Sequence, residues 1–294
     1  MKTVDEYLSH CYAIPKTPPA LPLPGEAFAE NWKETEGKAA LDFLTEITGR
    51  DKTVFPLENE EALRIFPEET LGGTLPVIIT GNHKDFRRVE AMLNGRDVLA
   101  DIPVTVNAFT LVVRTAKTRA RHMILLSQAH YSNVSARSMG LEERQWLEWS
   151  QRLRLAHECT HYEMLRLFGN MQNHALDEIV ADAVGQLAVF GNFSAERQRL
   201  FFGLEHSTGR CTGRLTYYCR GVIPWERETV YRSIDAALDI VETEIKRFQA
   251  EKRKPAAAND ALSGLSGILS DKEEKYELLA ALSGTSIAER TGNR

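Results

Sequence analysis

Residues 157–161 read His-Glu-Cys-Thr-His, the pattern H-E-x-x-H, within a stretch that predicts one long helix from Leu141 to Phe168. Residues four apart lie on the same face of a helix, so His157 and His161 can direct ring nitrogens at one metal ion. Glu158 follows the first histidine, and its carboxylate can reach a water at the metal without binding the ion itself. This stretch therefore predicts a helix that carries a metal site.

The residues around the motif indicate where this helix lies in the fold. Apolar residues continue the stripe of the two histidines, so the metal site is expected on the core-facing side of the helix, partly screened from water. These apolar residues are Leu153, Leu165 and Phe168. Cys159 points away from that stripe and is interpreted as a packing residue. Gly169 and Asn170 are expected to cap the end of the helix.

A second helix, predicted for residues 174–190, offers carboxylates to the same site. Glu178 and Asp182 lie four residues apart on it and share one face. Two histidines and one carboxylate leave a tetrahedral Zn²⁺ one open position for water, which is the arrangement of catalytic zinc sites. The spacing therefore predicts Glu178 as the third ligand and Asp182 as a carboxylate that supports the ligands.

The motifs H-E-x-x-H and E-x-x-x-D together resemble the gluzincin, or thermolysin-like, branch of zinc metallopeptidases, over residues 157–182. The resemblance implies a role for each matching residue: zinc ligands His157, His161 and Glu178, catalytic base Glu158, and Asp182 as the support of the first histidine. Members of this family also use an edge strand, along which an extended peptide substrate adds as a further strand. Val104–Val113 is the candidate for that strand.

This ligand set predicts a zinc-dependent hydrolase, most simply a metallopeptidase acting on a peptide or protein substrate. Zinc would activate a water, and Glu158 would take its proton and pass it to the leaving amine. The developing oxyanion needs a further donor, usually a Tyr or His in this family. Four residues are candidates, and no spacing distinguishes them: His174, His206, Tyr217 and Tyr218.

Two other functions are compatible with the same residues. A site of two histidines and one carboxylate also binds Fe(II) and supports oxygenase chemistry. Alternatively, the metal only ties two helices together in a non-catalytic binding protein. Structural zinc sites have four protein ligands, so Cys211 or Cys219 would then be expected to close the open position.

The predicted fold class is α+β. An N-terminal mixed α/β part with a small sheet precedes a helical part, which carries the zincin-like active-site helix and the helix of Glu178. The predicted strands are Leu75–Thr80, Val104–Val113 and Met123–Leu126, and the predicted helices of the first part are residues 26–48 and 83–93. We predict three parts: residues 1–135, residues 136–254, and residues 255–294 as a linker with a helical appendage.

The composition indicates which classes of partner and which cellular compartment to expect. The hydrophobic fraction of 43% and the charged fraction of 26% are ordinary for a globular protein, and a net charge of −5 favours neither nucleic acid nor an anionic membrane as a partner. The basic run from Arg114 to Arg121 is interpreted as a solvated edge. The N-terminus lacks the apolar region of a secretory signal, and the four cysteines lack zinc-finger spacing. A cytoplasmic location is expected.

Overall fold

The computed structural model describes residues 1–25, 39–113, 121–252 and 267–292. Three expectations fall wholly or partly outside these ranges: the first part of the helix predicted for residues 26–48, most of the basic run, and the linker after residue 254. Within them the fold is α+β, as predicted. The strands are β1 (Arg64–Thr70), β2 (Gly73–Thr80), β3 (Ala108–Val113) and β4 (Arg121–Ser127).

Helices make up most of the remaining described chain. They are α1 (Val4–Leu8), α2 (Ala40–Thr48), α3 (His83–Leu93), α4 (Ala136–Met139), α5 (Glu143–Phe168), α6 (Ala175–Phe190), α7 (Ala195–Phe202), α8 (Leu215–Tyr218), α9 (Arg227–Lys252), α10 (Gly267–Ser270), α11 (Lys272–Ser283) and α12 (Ile287–Thr291). None of the helices in the described ranges has both the length and the hydropathy that a bilayer crossing requires.

Residue contacts divide the chain into two compact units, Met1–Leu21 with Met164–Arg294, and Pro22–Glu163. This grouping does not test whether residues 1–135, 136–254 and 255–294 form separate parts, so that division stays a prediction. We call the two units the helical unit and the sheet unit.

The sheet unit contains the four strands in the order β1-β2-β4-β3. β2 runs parallel to β4, whereas β1 and β3 are antiparallel to their neighbours and form the two edges of this sheet. β1 is not among the predicted strands, and its Pro67 and the following Glu68 and Glu69 are unusual in strands. Proline lacks an N–H and is confined to edge positions in a sheet, which is where β1 lies.

Successive side chains of β2 and β4 point to opposite faces of the sheet, and each face packs against a different helix. One face, with Ile78 and Leu125, belongs to the core that contains α3. The other face, with Val77 and Ile124, packs with residues of α5, including Cys159 and Tyr162. The interpretation of Cys159 as a packing residue is confirmed. Because this face of α5 rests on the sheet, the helix is fixed in rotation and so is the direction of its two histidines.

The start of α3 is anchored by a buried carboxylate. Asp85 accepts hydrogen bonds from the backbone N–H groups of Glu58 and Asn59, at 2.8 and 2.9 Å, and from the side chains of Asn82 and Arg88. Burial alone would raise the pKa of Asp85, but these hydrogen bonds outweigh it and hold the pKa below its ordinary value. Asp85 thus ties the preceding loop to α3.

We expect Asp85→Asn to lower the free energy of unfolding by about 1–3 kcal/mol at neutral pH, because buried N–H donors lose a charged acceptor. A carboxylate with a lowered folded-state pKa contributes stability above its unfolded-state pKa of about 3.9, and that stability is lost as the pH falls through the folded-state pKa. The difference between parent and variant should therefore close below about pH 4. Chemical unfolding between about pH 2 and pH 7 measures it, with the exposed Asp97→Asn as control. A difference that stayed constant at acidic pH would contradict this account.

The helical unit is centred on α6, which is buried over nearly all its length. His174 caps its first turn, and Gly191, with φ +70°, ends it. The N-terminal segment also contacts this helix: the Tyr12 hydroxyl donates to Asp177 Oδ1 at 2.5 Å, and the Ala175 N–H donates to the Tyr7 hydroxyl at 3.0 Å. These contacts hold the first turn of α6, from which Glu178 projects.

Candidate metal centre

The H-E-x-x-H motif lies on α5, as predicted, with both histidines buried. The Nε2 atoms of His157 and His161 are 3.0 Å apart, and the two rings are nearly perpendicular. Tetrahedral zinc with Zn–N bonds of about 2.0–2.1 Å separates two nitrogens by about 3.3 Å. The two rings therefore present their Nε2 atoms close to the spacing that one zinc ion requires.

The Nδ1 atom of His157 faces a tyrosine. The Tyr131 hydroxyl lies 2.8 Å from it and is buried. Sequence reasoning did not identify Tyr131, and the resemblance assigns the support of His157 to Asp182. The predicted role of Asp182 stays a prediction.

The carboxylate of Glu158, the predicted base, is held by the neighbouring edge strand. Thr110 Oγ1 on β3 donates to Glu158 Oε2 at 2.7 Å. The Glu158 side chain is largely buried, so this hydrogen bond is screened little by water. Thr110 was included in the predicted edge strand, but this contact was not foreseen.

Glu178 and Asp182 project from one face of α6, as their spacing predicts, and both are buried. Arg214 joins them: its Nη1 donates to Glu178 Oε2 at 3.2 Å, and its Nη2 donates to Asp182 Oδ2. Gln198 also donates to Asp182. Arg214 therefore compensates buried negative charge at the predicted ligand and at its neighbour, a role that the sequence did not reveal.

The three predicted ligands lie together. One donor atom from each of His157, His161 and Glu178 falls within 4.8 Å of the others, and all three residues are buried. Among the described residues, these three form a group of histidine and acidic side chains that could hold a metal ion. Neither Cys211 nor Cys219 belongs to this group. Two imidazoles and one carboxylate are a donor set that suits Zn²⁺ with an open position.

Three of the four candidate oxyanion donors have other contacts. His174 accepts the Leu176 N–H at Nδ1, its Nε2 lies 3.0 Å from the Tyr7 carbonyl, and burial lowers its pKa to about 3. The His206 side chain is 62% exposed and contacts Asp235. Tyr217 is 49% exposed, with a guanidinium over its ring. None of these described contacts involves a predicted ligand.

The fourth candidate, Tyr218, hydrogen-bonds the Glu178 carboxylate. Burial, followed by the negative charge of Glu178, raises the pKa of Tyr218 well above its ordinary value. The hydroxyl thus stays protonated and able to donate at neutral pH. These contacts favour Tyr218 over the other three candidates.

A family model described as "Family of unknown function (DUF7005)" matches residues 103–272, more than half of the chain. The chain belongs to the DUF7005 family. No curated protein and no solved structure matches it.

The range matched by DUF7005 includes β3, α5 and α6, and with them every residue of the candidate site. The family description assigns no activity. The gluzincin resemblance of this DUF7005 chain therefore stays a prediction.

Proposed function

We propose that this chain is a zinc-dependent hydrolase that cleaves peptide bonds. The observation that carries the proposal is the convergence of His157, His161 and Glu178, with Glu158 beside the first ligand. Three protein ligands leave one position of a tetrahedral ion for water, as catalytic sites require. A structural zinc site would need a fourth protein ligand, which the described cluster lacks.

The proposed chemistry assigns the base to Glu158. A zinc ion held by the three ligands would polarise the scissile carbonyl and acidify a water. Thr110 holds Glu158 Oε2 in place, and the carboxylate accepts the proton of the attacking water and then delivers it to the leaving amine. A carboxylate with one oxygen fixed loses less orientational freedom in this transfer.

Tyr218 is the proposed donor to the oxyanion. Its hydroxyl is protonated and hydrogen-bonds Glu178, one of the three residues that would hold the zinc ion. In the reaction this O–H would turn from the Glu178 carboxylate to the developing oxyanion, where a donor stabilises negative charge that develops only in the transition state.

Edge strand β3 is the proposed substrate strand. The Ser127 N–H donates to the Asn107 carbonyl at 2.9 Å, which marks a hydrogen-bonded pair at the end of the β3–β4 ladder. Hydrogen-bonded and non-hydrogen-bonded pairs alternate in antiparallel strands, so every second residue of β3 turns its backbone groups away from β4. These residues are Ala108, Thr110 and Val112. An extended peptide can pair with them, next to the side chain that holds Glu158.

Metal analysis and a peptide-library digest test the proposal. Protein purified without added metal should contain about one equivalent of zinc, because three protein ligands bind the ion. Cleavage, detected by mass spectrometry, should stop with a chelator and return with Zn²⁺. Iron with oxoacid-dependent oxidation would favour the oxygenase instead. Bound zinc without cleavage of any peptide would favour the non-catalytic binding protein.

Tyr218→Phe tests the oxyanion donor, and its neighbour Tyr217→Phe is a matched control because the Tyr217 side chain is half exposed. We expect Tyr218→Phe to lower kcat about 10²–10³-fold with little change in KM, since the lost hydrogen bond acts in the transition state. Steady-state kinetics at equal zinc content measures the effect. Equal kcat values in the two variants would remove Tyr218 from the mechanism.

A further inference from the structure

The loop that precedes α4 is fastened to α5 at three successive turns of the helix. Trp146 Nε1 donates to the Val134 carbonyl at 2.7 Å, and Ser150 Oγ accepts the Tyr131 N–H at 2.9 Å. Arg154 is buried and donates to the carbonyl of Ser127, at the end of β4, and to the carbonyls of Ala129 and His130 in the loop. Residues 146, 150 and 154 are four apart, so the anchors form one stripe that leads toward the metal motif.

This loop contains two residues in a conformation that non-glycine residues rarely adopt. Ser132 has φ +50° and Asn133 has φ +60°, directly after Tyr131. Asparagine tolerates left-handed backbone, but for a serine this conformation is unfavourable and persists where surrounding contacts enforce it. The three anchors provide those contacts and give Tyr131 one defined position.

This loop places Tyr131 next to His157. Its ring lies beneath the Arg154 guanidinium, which is 5.8 Å from the ring centroid, and its hydroxyl is 2.8 Å from His157 Nδ1. We propose that Tyr131 is a positioning residue that holds the proton of His157 on Nδ1, so that Nε2 is available to the metal. The inference rests on the metal centre of the proposed function, but not on peptide cleavage.

The reason lies in the tautomers of imidazole. A neutral histidine that binds a metal through Nε2 must carry its proton on Nδ1. His157 is buried, so that N–H would be costly without an acceptor. The Tyr131 oxygen is placed to accept it. Without this acceptor the alternative tautomer is favoured, in which Nε2 carries the proton and hydrogen-bonds His161 Nε2 across their 3.0 Å separation.

Tyr131→Phe removes only the hydroxyl and keeps the ring beneath Arg154. In zinc titrations of the full chain against a chromophoric chelator, we expect its zinc affinity to fall about 10- to 100-fold, the usual effect of losing the partner of a ligating histidine. Tyr276→Phe is the matched control, because Tyr276 is also buried and its hydroxyl has no hydrogen-bond partner in the described part of the chain. Its zinc affinity should equal that of the parent.

Histidine ring NMR of the zinc-loaded chain gives an independent readout. The parent should show a protected Nδ1–H resonance for His157, which Tyr131→Phe should lose, whereas a merely structural tyrosine would leave it unchanged. Unfolding of the metal-free variant should remain one cooperative transition, which establishes that the variant folds, with a midpoint lowered only by the loss of one buried hydrogen bond.

The outcomes separate this inference from the proposed function. If Tyr131→Phe binds zinc as tightly as the parent and keeps the resonance, the inference is wrong even where the parent cleaves peptides. If the variant loses affinity but the parent cleaves no peptide, the inference stands and the peptidase proposal fails. A parent that binds no zinc through His157 overturns both.

Discussion

Replacing Glu158 with glutamine is expected to abolish peptide hydrolysis while leaving the zinc content and the unfolding midpoint unchanged. The amide cannot accept the proton of the attacking water, and general base catalysis typically contributes about 10²–10⁴-fold to the rate. The side chain should nevertheless keep its position, since the amide oxygen can still accept the hydrogen bond of Thr110. A large loss of kcat at constant metal content is therefore specific to the base.

Glu148→Gln is the matched control for this experiment. Glu148 lies on the same helix, is 63% exposed and pairs only with Arg144 among its described contacts. The same change of charge there should leave kcat and stability as in the parent, because exposed helix pairs contribute little. Full activity of Glu158→Gln would show that another group takes the proton, and the proposed mechanism would be wrong.

The sequence predicted the elements that carry the site because they depend on local periodicity. Four-residue spacing put His157 and His161 on one face of α5, and put Glu178 and Asp182 on one face of α6. Gly169, with φ +76°, ends α5 at the predicted place. Helix period and a glycine stop are properties of neighbouring residues, so they can be recognised in one sequence.

The groups that support the site escaped sequence reasoning because they come from distant positions. Tyr131, Thr110 and Arg214 lie 26, 48 and 36 residues from the side chains that they contact. Nothing in the local pattern around them distinguishes them from ordinary loop or strand residues. Their contacts arise from tertiary packing. Tyr131 lies on the loop that is hydrogen-bonded to α5, Thr110 lies on an edge strand, and Arg214 lies at the start of α8.

Two adjacent tyrosines also show what a sequence cannot predict, namely which of them reaches the site. Tyr217 and Tyr218 are equivalent candidates in the sequence, yet the first is half exposed and the second hydrogen-bonds Glu178. Adjacent residues on a helix project about 100° apart, so only the rotation of α8 decides which of them reaches the ligand. That rotation depends on the burial of Leu215, which tertiary packing sets.

His161→Ala is expected to reduce bound zinc from about one equivalent to a trace and to abolish hydrolysis with it. Zinc binding by a four-ligand structural site is worth about 10–16 kcal/mol, so one ligand accounts for roughly 3 kcal/mol. At 1.4 kcal/mol per factor of ten, the affinity should fall at least about 10²-fold. Metal analysis after dialysis measures this, and His83→Ala, in which His83 contacts only the Pro103 carbonyl and Phe86 among its described contacts, should retain zinc.

Stability gives the same experiment a second readout. A ligand that binds only the folded state stabilises it by mass action, by about 2.7 kcal/mol at one hundred times its dissociation constant. Added zinc should therefore raise the unfolding midpoint of the parent and of His83→Ala, but not that of His161→Ala. Glu178→Ala should behave like His161→Ala, because the cluster joins ligands from two helices and needs both. If zinc stabilised Glu178→Ala as much as the parent, the two histidines alone would hold the ion, and the proposed three-ligand site would be wrong.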